Sequence, residues 1–424
     1  MKTAKKSDPE AADLPICYQD VLDAAARIED GVKRTSAEYS KVLSDATGAD
    51  IYLKFEIFQH TASFKERGGL NRLLKLTDEE RARGVIASSA GNHAQSVAYH
   101  AGRLGVPATI VMPKGTPFTK VKRTEDLGAE VVLAGSNFAE AAERAHEIER
   151  QRNLTIIHTF DDPDIMAGHG TVAIEFLERF VDLEVLVVPV GGGGLISGIA
   201  VAAKTIKPEI KIYGVQSEIY PSMKAALEGK TVGHPKVETI AEGIAIKKPG
   251  LLTQKVVAAL VDDILIVKEL SIEMAINMFI EMEKVVVEGA AAASLAAVYE
   301  NPELFRGRKT GLVLTGANID AKILASSLMR GLARDGRISR LKVTTPDMPG
   351  GLAKVAMIIA EAGGNVVEVY HHRQFADISL KYTEIEVVVE TKDAHHMRQL
   401  VAALEEAGFE VELQGVHRSP HAPD

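Results

Sequence analysis

Val185-Leu186-Val187-Val188-Pro189-Val190 runs directly into Gly191-Gly192-Gly193-Gly194-Leu195. The unbroken apolar run, rich in valine, reads as a strand buried on both faces, and the stretch after the glycines reads as a helix. A helix N-terminus offers unpaired N–H groups, and glycines let them close on a small anion, so this junction is a phosphate cradle in form. Leu183 to Ala203 is the most apolar window of the chain. Glu184, Pro189 and the four glycines interrupt it, so a buried strand feeding a helix explains it better than a membrane span.

On either side of this junction, short apolar runs alternate with helix-like segments from Ile51 to Leu314. The runs are Val85 to Ala87, Ala108 to Met112, Glu130 to Leu133, Thr155 to Ile157, Val185 to Val190, Ile212 to Val215 and Leu312 to Leu314. Phe138 to Arg152, Met166 to Phe180 and Ile272 to Met282 carry helical spacing between them. Such alternation predicts a mostly parallel α/β sheet with helices on both faces and ligands at the carboxyl ends of the strands. After Gly331 the pattern changes. The charged stretch 332–337 reads as a linker, and beyond it lie strand Ile338 to Thr344, helix Leu352 to Ala362, strand Asn365 to His372, strand Tyr382 to Val389, helix Ala394 to Ala407 and strand Glu410 to Leu413. That order is the β-α-β-β-α-β of a ferredoxin-like module. The expected division is a catalytic part over 1–335, with a smaller subdomain inserted at about 55–160, a second domain over 338–415, and a flexible tail over 416–424.

A net charge of -9 argues against nucleic acid or an anionic membrane as partner. The single cysteine, Cys17, excludes an intramolecular disulfide and a cysteine-based metal site. Met1 to Ala12 is polar and holds no apolar run, so a cytoplasmic location is expected.

Three further motifs fall at strand ends. Ser63-Phe64-Lys65-Glu66-Arg67-Gly68 places a lysine beside an aromatic ring with glycines following. It reads either as a surface lysine opening a helix or as a reactive amine. Ser88-Ser89-Ala90-Gly91-Asn92-His93 opens a helix, so its backbone could grip a carboxylate while the Asn92 amide donates to a phenolic oxygen; Ser89 or Asn92 as a helix cap is the plainer reading. Thr315-Gly316-Ala317-Asn318 ends the last strand, where Thr315 could hydrogen-bond a pyridine nitrogen or simply cap the next helix. A dinucleotide site needs spaced glycines and an acid at the tip of the next strand, whereas Gly191 to Gly194 are contiguous and that strand ends Gly214-Val215-Gln216-Ser217. A phosphate cradle plus a reactive lysine points instead to pyridoxal phosphate.

With these motifs in this order, the chain resembles the threonine dehydratases (threonine ammonia-lyases), pyridoxal-phosphate enzymes of the fold type shared with serine racemase and the tryptophan synthase β-subunit. The resemblance runs from about Thr35 to Leu413. It implies two open, parallel-rich sheets and pyridoxal phosphate held on Lys65 as a Schiff base. Phe64 would pack beside it, Asn92 would bind the ring oxygen O3′, Gly191, Gly192, Gly193, Gly194 and Leu195 the phosphate, Thr315 the ring nitrogen, and Glu288 would lie near the ring. Ser89, Ala90, Gly91, Asn92 and His93 would take the substrate carboxylate. The implied reaction is β-elimination of L-threonine to 2-oxobutanoate and ammonia, with L-serine as a second substrate, in a dimeric or tetrameric enzyme.

Departures from the family pattern sharpen the expectation. Serine racemase has a second serine where this chain has Ala90, which removes the base that racemisation needs on the far face. Gln216 stands where the racemase type has a metal-binding glutamate, so no metal is expected there. His169 replaces an expected glutamine and has no assigned role. The C-terminal module resembles an ACT domain, with Pro346-Asp347-Met348-Pro349-Gly350-Gly351-Leu352 as its ligand loop, and implies an amino-acid effector such as isoleucine or valine. His371-His372-Arg373 is not read as a metal site, since adjacent strand residues point to opposite faces. Serine racemase, 3-hydroxyaspartate ammonia-lyase, a nicotinamide oxidoreductase and an inactive amino-acid sensor remain as alternatives, and so do biosynthetic and catabolic roles.

Overall fold

The computed structural model describes residues 14–233, 237–372 and 379–414. Met1 to Ala12, Arg373 and the expected tail at 416–424 lie outside them. The chain divides into two compact units between Ile319 and Asp320.

The first unit holds two sheets among the described residues. One has the strand order Ala37–Ser40, Asp50–Lys54, Lys309–Val313, Val185–Pro189, Lys211–Ser217, Asp263–Val267, and every pairing but the first is parallel. The other is wholly parallel, in the order Glu130–Leu133, Ala108–Met112, Val85–Ser88, Thr155–Ile156. Val185–Pro189 is buried throughout, as its composition demands for a central strand covered on both faces. Helices Pro163–Arg179 and Gly194–Ile206 supply much of its cover.

Three strands have no counterpart in the apolar runs: Ala37–Ser40, Asp50–Lys54 and Asp263–Val267. The first is a four-residue edge with exposed Glu38 and Tyr39. The second ends in Lys54, a charge that a sequence reading places outside a core. Its ammonium is nevertheless fully buried, donating to Glu175 at 2.6 Å and to the carbonyl and hydroxyl of Thr35 at 2.7 Å each. The helix expected at Ile272 to Met282 runs over Glu269–Met278 and loosens into a π turn at Phe279–Glu283.

The second unit opens with helix Ala321–Arg334, whose first N–H groups are capped by Asp320. The stretch 332–337 is therefore helical to Arg334 rather than a linker, and Gly336 at φ 67° makes the turn after it. A four-stranded antiparallel sheet comes next, in the order Asn365–His372, Tyr382–Glu390, Ile338–Pro346, Glu410–Gln414. Leu341, Val343, Ile385, Val387 and Val389 alternate inward to meet Val355, Ile359, Leu400 and Leu404 of helices Gly351–Glu361 and Ala394–Glu406. The element order is β-α-β-β-α-β, as the sequence predicts.

Candidate active site

Lys65 is the first residue of helix Lys65–Leu74. The segment before it lies antiparallel to the Thr315 turn: Phe64 N donates to the carbonyl of Thr315 at 3.0 Å, Ala317 N donates to that of Ala62 at 3.0 Å, and Ser63 pairs with Gly316. Two motifs some 250 residues apart in sequence are thus joined by backbone alone. The helix is fastened from below by Arg67, which is fully buried. Its guanidinium meets Glu56 through Nε (2.7 Å) and Nη2 (2.8 Å), and Glu175 through Nη1 (2.6 Å) and Nη2 (2.8 Å). Two bidentate pairs satisfy a charge that would otherwise be prohibitive to bury.

The Lys65 amine points the other way. Nζ donates to the carbonyl of Thr159 at 2.9 Å and lies 5.1 Å from the centre of the Phe64 ring. Burial pushes the amine down to about 8, against the opposing pull of the Glu288 carboxylate. Lys65 is therefore a partly buried lysine bonded inward to Thr159 and not a free surface lysine.

Asn92 opens helix Asn92–Leu104 but caps nothing; the cap position is Gly91, and Ser89 Oγ only accepts from Gly91 N at 3.3 Å. Instead Asn92 Nδ2 reaches Glu288 at 2.8 Å and 3.1 Å, and its Oδ1 accepts from Asn318 Nδ2 at 2.8 Å. Glu288 N donates to the carbonyl of Gly316 at 2.9 Å, which brings its side chain over the Thr315 turn. Burial raises the Glu288 carboxyl to about 6, although Asn92 pulls the other way. His93 faces away from this cluster: its Nε2–H donates to the carbonyl of Ile157 at 3.0 Å, and burial lowers the ring to about 3, so it stays neutral. Ala90 is buried in the core of the smaller sheet.

Thr315 does not cap the following helix, which Asp320 serves. Its Oγ1 is buried without a hydrogen-bond partner among the described residues, and so is Ser63 Oγ. An orphaned buried hydroxyl is costly unless something outside the chain completes it.

The glycine run follows its strand as expected. Gly193 takes φ 100°, a conformation that side chains avoid, and turns the chain into helix Gly194–Ile206. A Cβ at Gly192 would land in the ring of Phe160. Thr253 Oγ1 (2.7 Å) and Gly250 N (3.1 Å) both donate to the Gly192 carbonyl, holding it on the side of helix Leu251–Leu260. Leu195 puts its side chain into the core. Thr159 and Phe160, adjacent in sequence, therefore span the space between the Lys65 amine and the glycines. Just beyond them, Asp161 accepts from Leu251 N (2.9 Å), Leu252 N (3.0 Å) and Thr253 N (3.1 Å), and Asp162 from Asp164 N (2.7 Å) and Ile165 N (3.2 Å).

His169 packs edge-on against Phe64, with ring centres 4.7 Å apart, and its Nδ1 accepts from Gly68 N at 3.2 Å. It is a neutral spacer beneath the lysine, held uncharged by burial. Gln216 is consumed locally: Oε1 accepts from Met223 N (3.0 Å) and Lys224 N (3.1 Å), while Nε2 donates to the carbonyl of Val190 at 3.2 Å. Thr159, Phe160, Asp161, Thr253 and Asn318 belong to the site and escape a reading of the sequence. Of these, only Asn318 lies inside one of the four motifs.

Pyridoxal phosphate fits what is present. A screened amine, a glycine cradle and an unsatisfied hydroxyl supply one feature each for an aldehyde, a phosphate and a ring nitrogen.

Residues 28–316 match the family model for pyridoxal-phosphate dependent enzymes, and residues 339–409 that for the ACT domain. The chain is 43% identical over 401 residues to an L-threonine ammonia-lyase of Thermotoga maritima, covering 94% of this chain and 100% of the relative. It is 41% identical over 397 residues to another from Geobacter sulfurreducens, covering 93% and 99%. Among solved structures, the processed form of threonine deaminase isoform 2 from Solanum lycopersicum superposes with a TM-score of 0.70 at 35% identity, covering 74% of this chain and 87% of that one. Maize serine racemase gives 0.70 at 32%, covering 75% and 98%.

Proposed function

Because the chain belongs to the pyridoxal-phosphate dependent enzymes and carries an ACT domain after its catalytic part, we propose that it deaminates L-threonine to 2-oxobutanoate and ammonia, and L-serine to pyruvate. The observation that carries this reading is the partly buried Lys65 amine, lowered to about 8 and close enough to Glu288 to feel its charge, with Glu288 bonded to Asn92 and the Lys65 segment bonded to the Thr315 turn.

When bound, pyridoxal phosphate supplies an aldehyde carbon for the substrate amine and a ring that withdraws electrons from Cα. Lys65 would hold that carbon, and as a neutral amine its Nζ would take the Cα proton of the substrate. Backbone N–H groups of Gly191 to Leu195 bind the phosphate at the helix N-terminus. Asn92 donates to the ring's phenolic oxygen. Thr315 offers the ring nitrogen a neutral partner, which keeps electron withdrawal moderate and favours elimination over transamination. The Ser89 to His93 turn grips the substrate carboxylate with its N–H groups, His93 contributing backbone only. Loss of the Cα proton and of the β-hydroxyl, together one water, would leave an enamine, and its imine tautomer would take up one water to give the keto acid and ammonia.

The likeness to maize serine racemase raises racemisation as a second reading. Ala90 weighs against it, because a methyl group cannot return a proton to the opposite face of Cα. The ACT domain supports regulation by a small amino acid such as isoleucine or valine, whose binding must in turn be affected by substrate. A cytoplasmic dimer or tetramer is part of this proposal. Separately, no helix among the described residues is long and apolar enough to cross a membrane.

The test is to measure ammonia and keto acid from threonine, serine and 3-hydroxyaspartate side by side, with and without isoleucine, in wild type and Lys65→Ala. Threonine should lead and Lys65→Ala should lose turnover; full ammonia release by Lys65→Ala would sink the assignment.

A further inference from the structure

Asn318 closes the turn that begins at Thr315, and its amide has three partners on three separate stretches. Nδ2 donates to the carbonyl of Thr61 and to Oδ1 of Asn92, both at 2.8 Å, while Oδ1 accepts from Arg123 Nη1 at 3.0 Å. Asn92 has its own two ends sorted by this contact. With Oδ1 occupied by Asn318, its NH2 is turned to the opposite side, where it meets Glu288.

An asparagine amide is nearly symmetric in shape, so its orientation is decided by partners rather than by packing. Flipping Asn92 alone would set its oxygen against the Glu288 carboxylate and its NH2 against the NH2 of Asn318. Flipping Asn318 alone would set its NH2 against a guanidinium and its oxygen against the carbonyl of Thr61. Arg123, on helix Phe118–Asp126, has a side chain with donors only, so it can face nothing but the oxygen of Asn318. Direction passes from Arg123 to Asn318 to Asn92.

We propose that Asn318 is a positioning residue, determining which end of the Asn92 amide faces the cofactor's phenolic oxygen, with Arg123 setting the direction of Asn318 itself. The inference rests on the reading of Asn92 as the ligand of that oxygen. Asn318 need touch neither substrate nor cofactor. A residue that merely held the 315–318 turn together would leave the electronic state of the bound ring unmoved.

The experiment reconstitutes apoenzyme with pyridoxal phosphate and reads two quantities: the dissociation constant, and the ratio of the absorption bands that report where the ring's proton resides. Wild type, Asn92→Ala, Asn318→Ala, Arg123→Met and the Asn92→Ala/Asn318→Ala double variant are compared. Asn318→Ala should weaken binding about tenfold and shift the band ratio in the direction that Asn92→Ala does. Arg123→Met, on an exposed position, should shift it less and the same way. In the double variant, adding Asn318→Ala to Asn92→Ala should change neither quantity further. If Asn92→Ala alters the spectrum and Asn318→Ala does not, the inference fails while the role of Asn92 stands. If neither alters it, the role of Asn92 fails and takes the inference with it. A full additional loss in the double variant shows Asn318 acting independently of Asn92 and also overturns the proposal. Asn318→Asp keeps the shape and loses the donors, so it must shift the ratio even if the alanine variant misfolds; a wild-type ratio in Asn318→Asp is decisive against.

Discussion

The backbone N–H of Phe64 donates to the carbonyl of Thr315 at 3.0 Å, so the residue before the amine and the residue with the unpaired hydroxyl are locked in register. The Thr315 hydroxyl has no partner among the described residues, and its removal should therefore affect the free and loaded protein oppositely. Thr315→Val should raise the stability of the apoenzyme by about 1 kcal/mol, since a buried unsatisfied group is replaced by a methyl. It should also weaken pyridoxal phosphate binding. Denaturant unfolding of the apoenzyme and a cofactor titration check the pair, and a loss of apo stability would mean that the hydroxyl has a partner after all.

Gly192 is tested by its smallest side chain. Its Cβ would overlap the Phe160 ring, and Phe160 adjoins Thr159, the acceptor of the Lys65 amine. Gly192→Ala should weaken cofactor binding at least about tenfold through overpacking of about 1.4 kcal/mol or more. Adding Phe160→Ala should recover part of the loss in the same titration.

The Lys65 amine, lowered from 10.5 to about 8, is neutral above that value and protonated below it. Only the neutral form attacks an aldehyde. Cofactor attachment to the apoenzyme, followed by stopped-flow absorbance, should therefore rise with pH, reach half its maximum at about 8 and level off above. A rate still climbing toward 10.5 would show that the amine is fully solvated.

Glu288 carries the opposite sign. Its carboxyl is raised from 4.5 to about 6, so folding favours the protonated form. The stability this contributes is complete below 4.5 and is lost as pH rises through 6, a change of about 2 kcal/mol for a shift of that size. Glu288→Gln should flatten the pH dependence of unfolding over that window, leaving stability higher than wild type at neutral pH. Equal slopes in the two proteins would place the titration elsewhere.

What the sequence revealed was local. The glycine run, the lysine segment and the Thr315 turn are each contiguous, and the strands between them are apolar runs or alternations that need no partner to be recognised. What stayed hidden depends on contacts between distant residues. Lys54 looks unfit for a buried strand until Glu175 and Thr35 are seen around its ammonium. Asn318 lies in the Thr315 motif, but its amide is bonded to Asn92, 226 residues away, and to Arg123. The stretch 332–337 has a linker's composition, yet the cap at Asp320 and good helix formers carry the helix through its first half.

Asp161 and Asp162 are neighbours in sequence, yet each serves a different helix, the first Leu251–Leu260 and the second Pro163–Arg179. They sit where the chain leaves the smaller sheet, one residue past the Thr159-Phe160 pair that spans lysine and glycines. The junction ties both N-termini to one short stretch of chain. A swing of the smaller sheet about this point would drag on two helix N-termini at once, each cap being worth about 1 kcal/mol. Through Thr253 it would also tug the Gly192 carbonyl. Two helix N-termini, the Lys65 amine and the glycine run are thus all held by one run of four residues, 159–162.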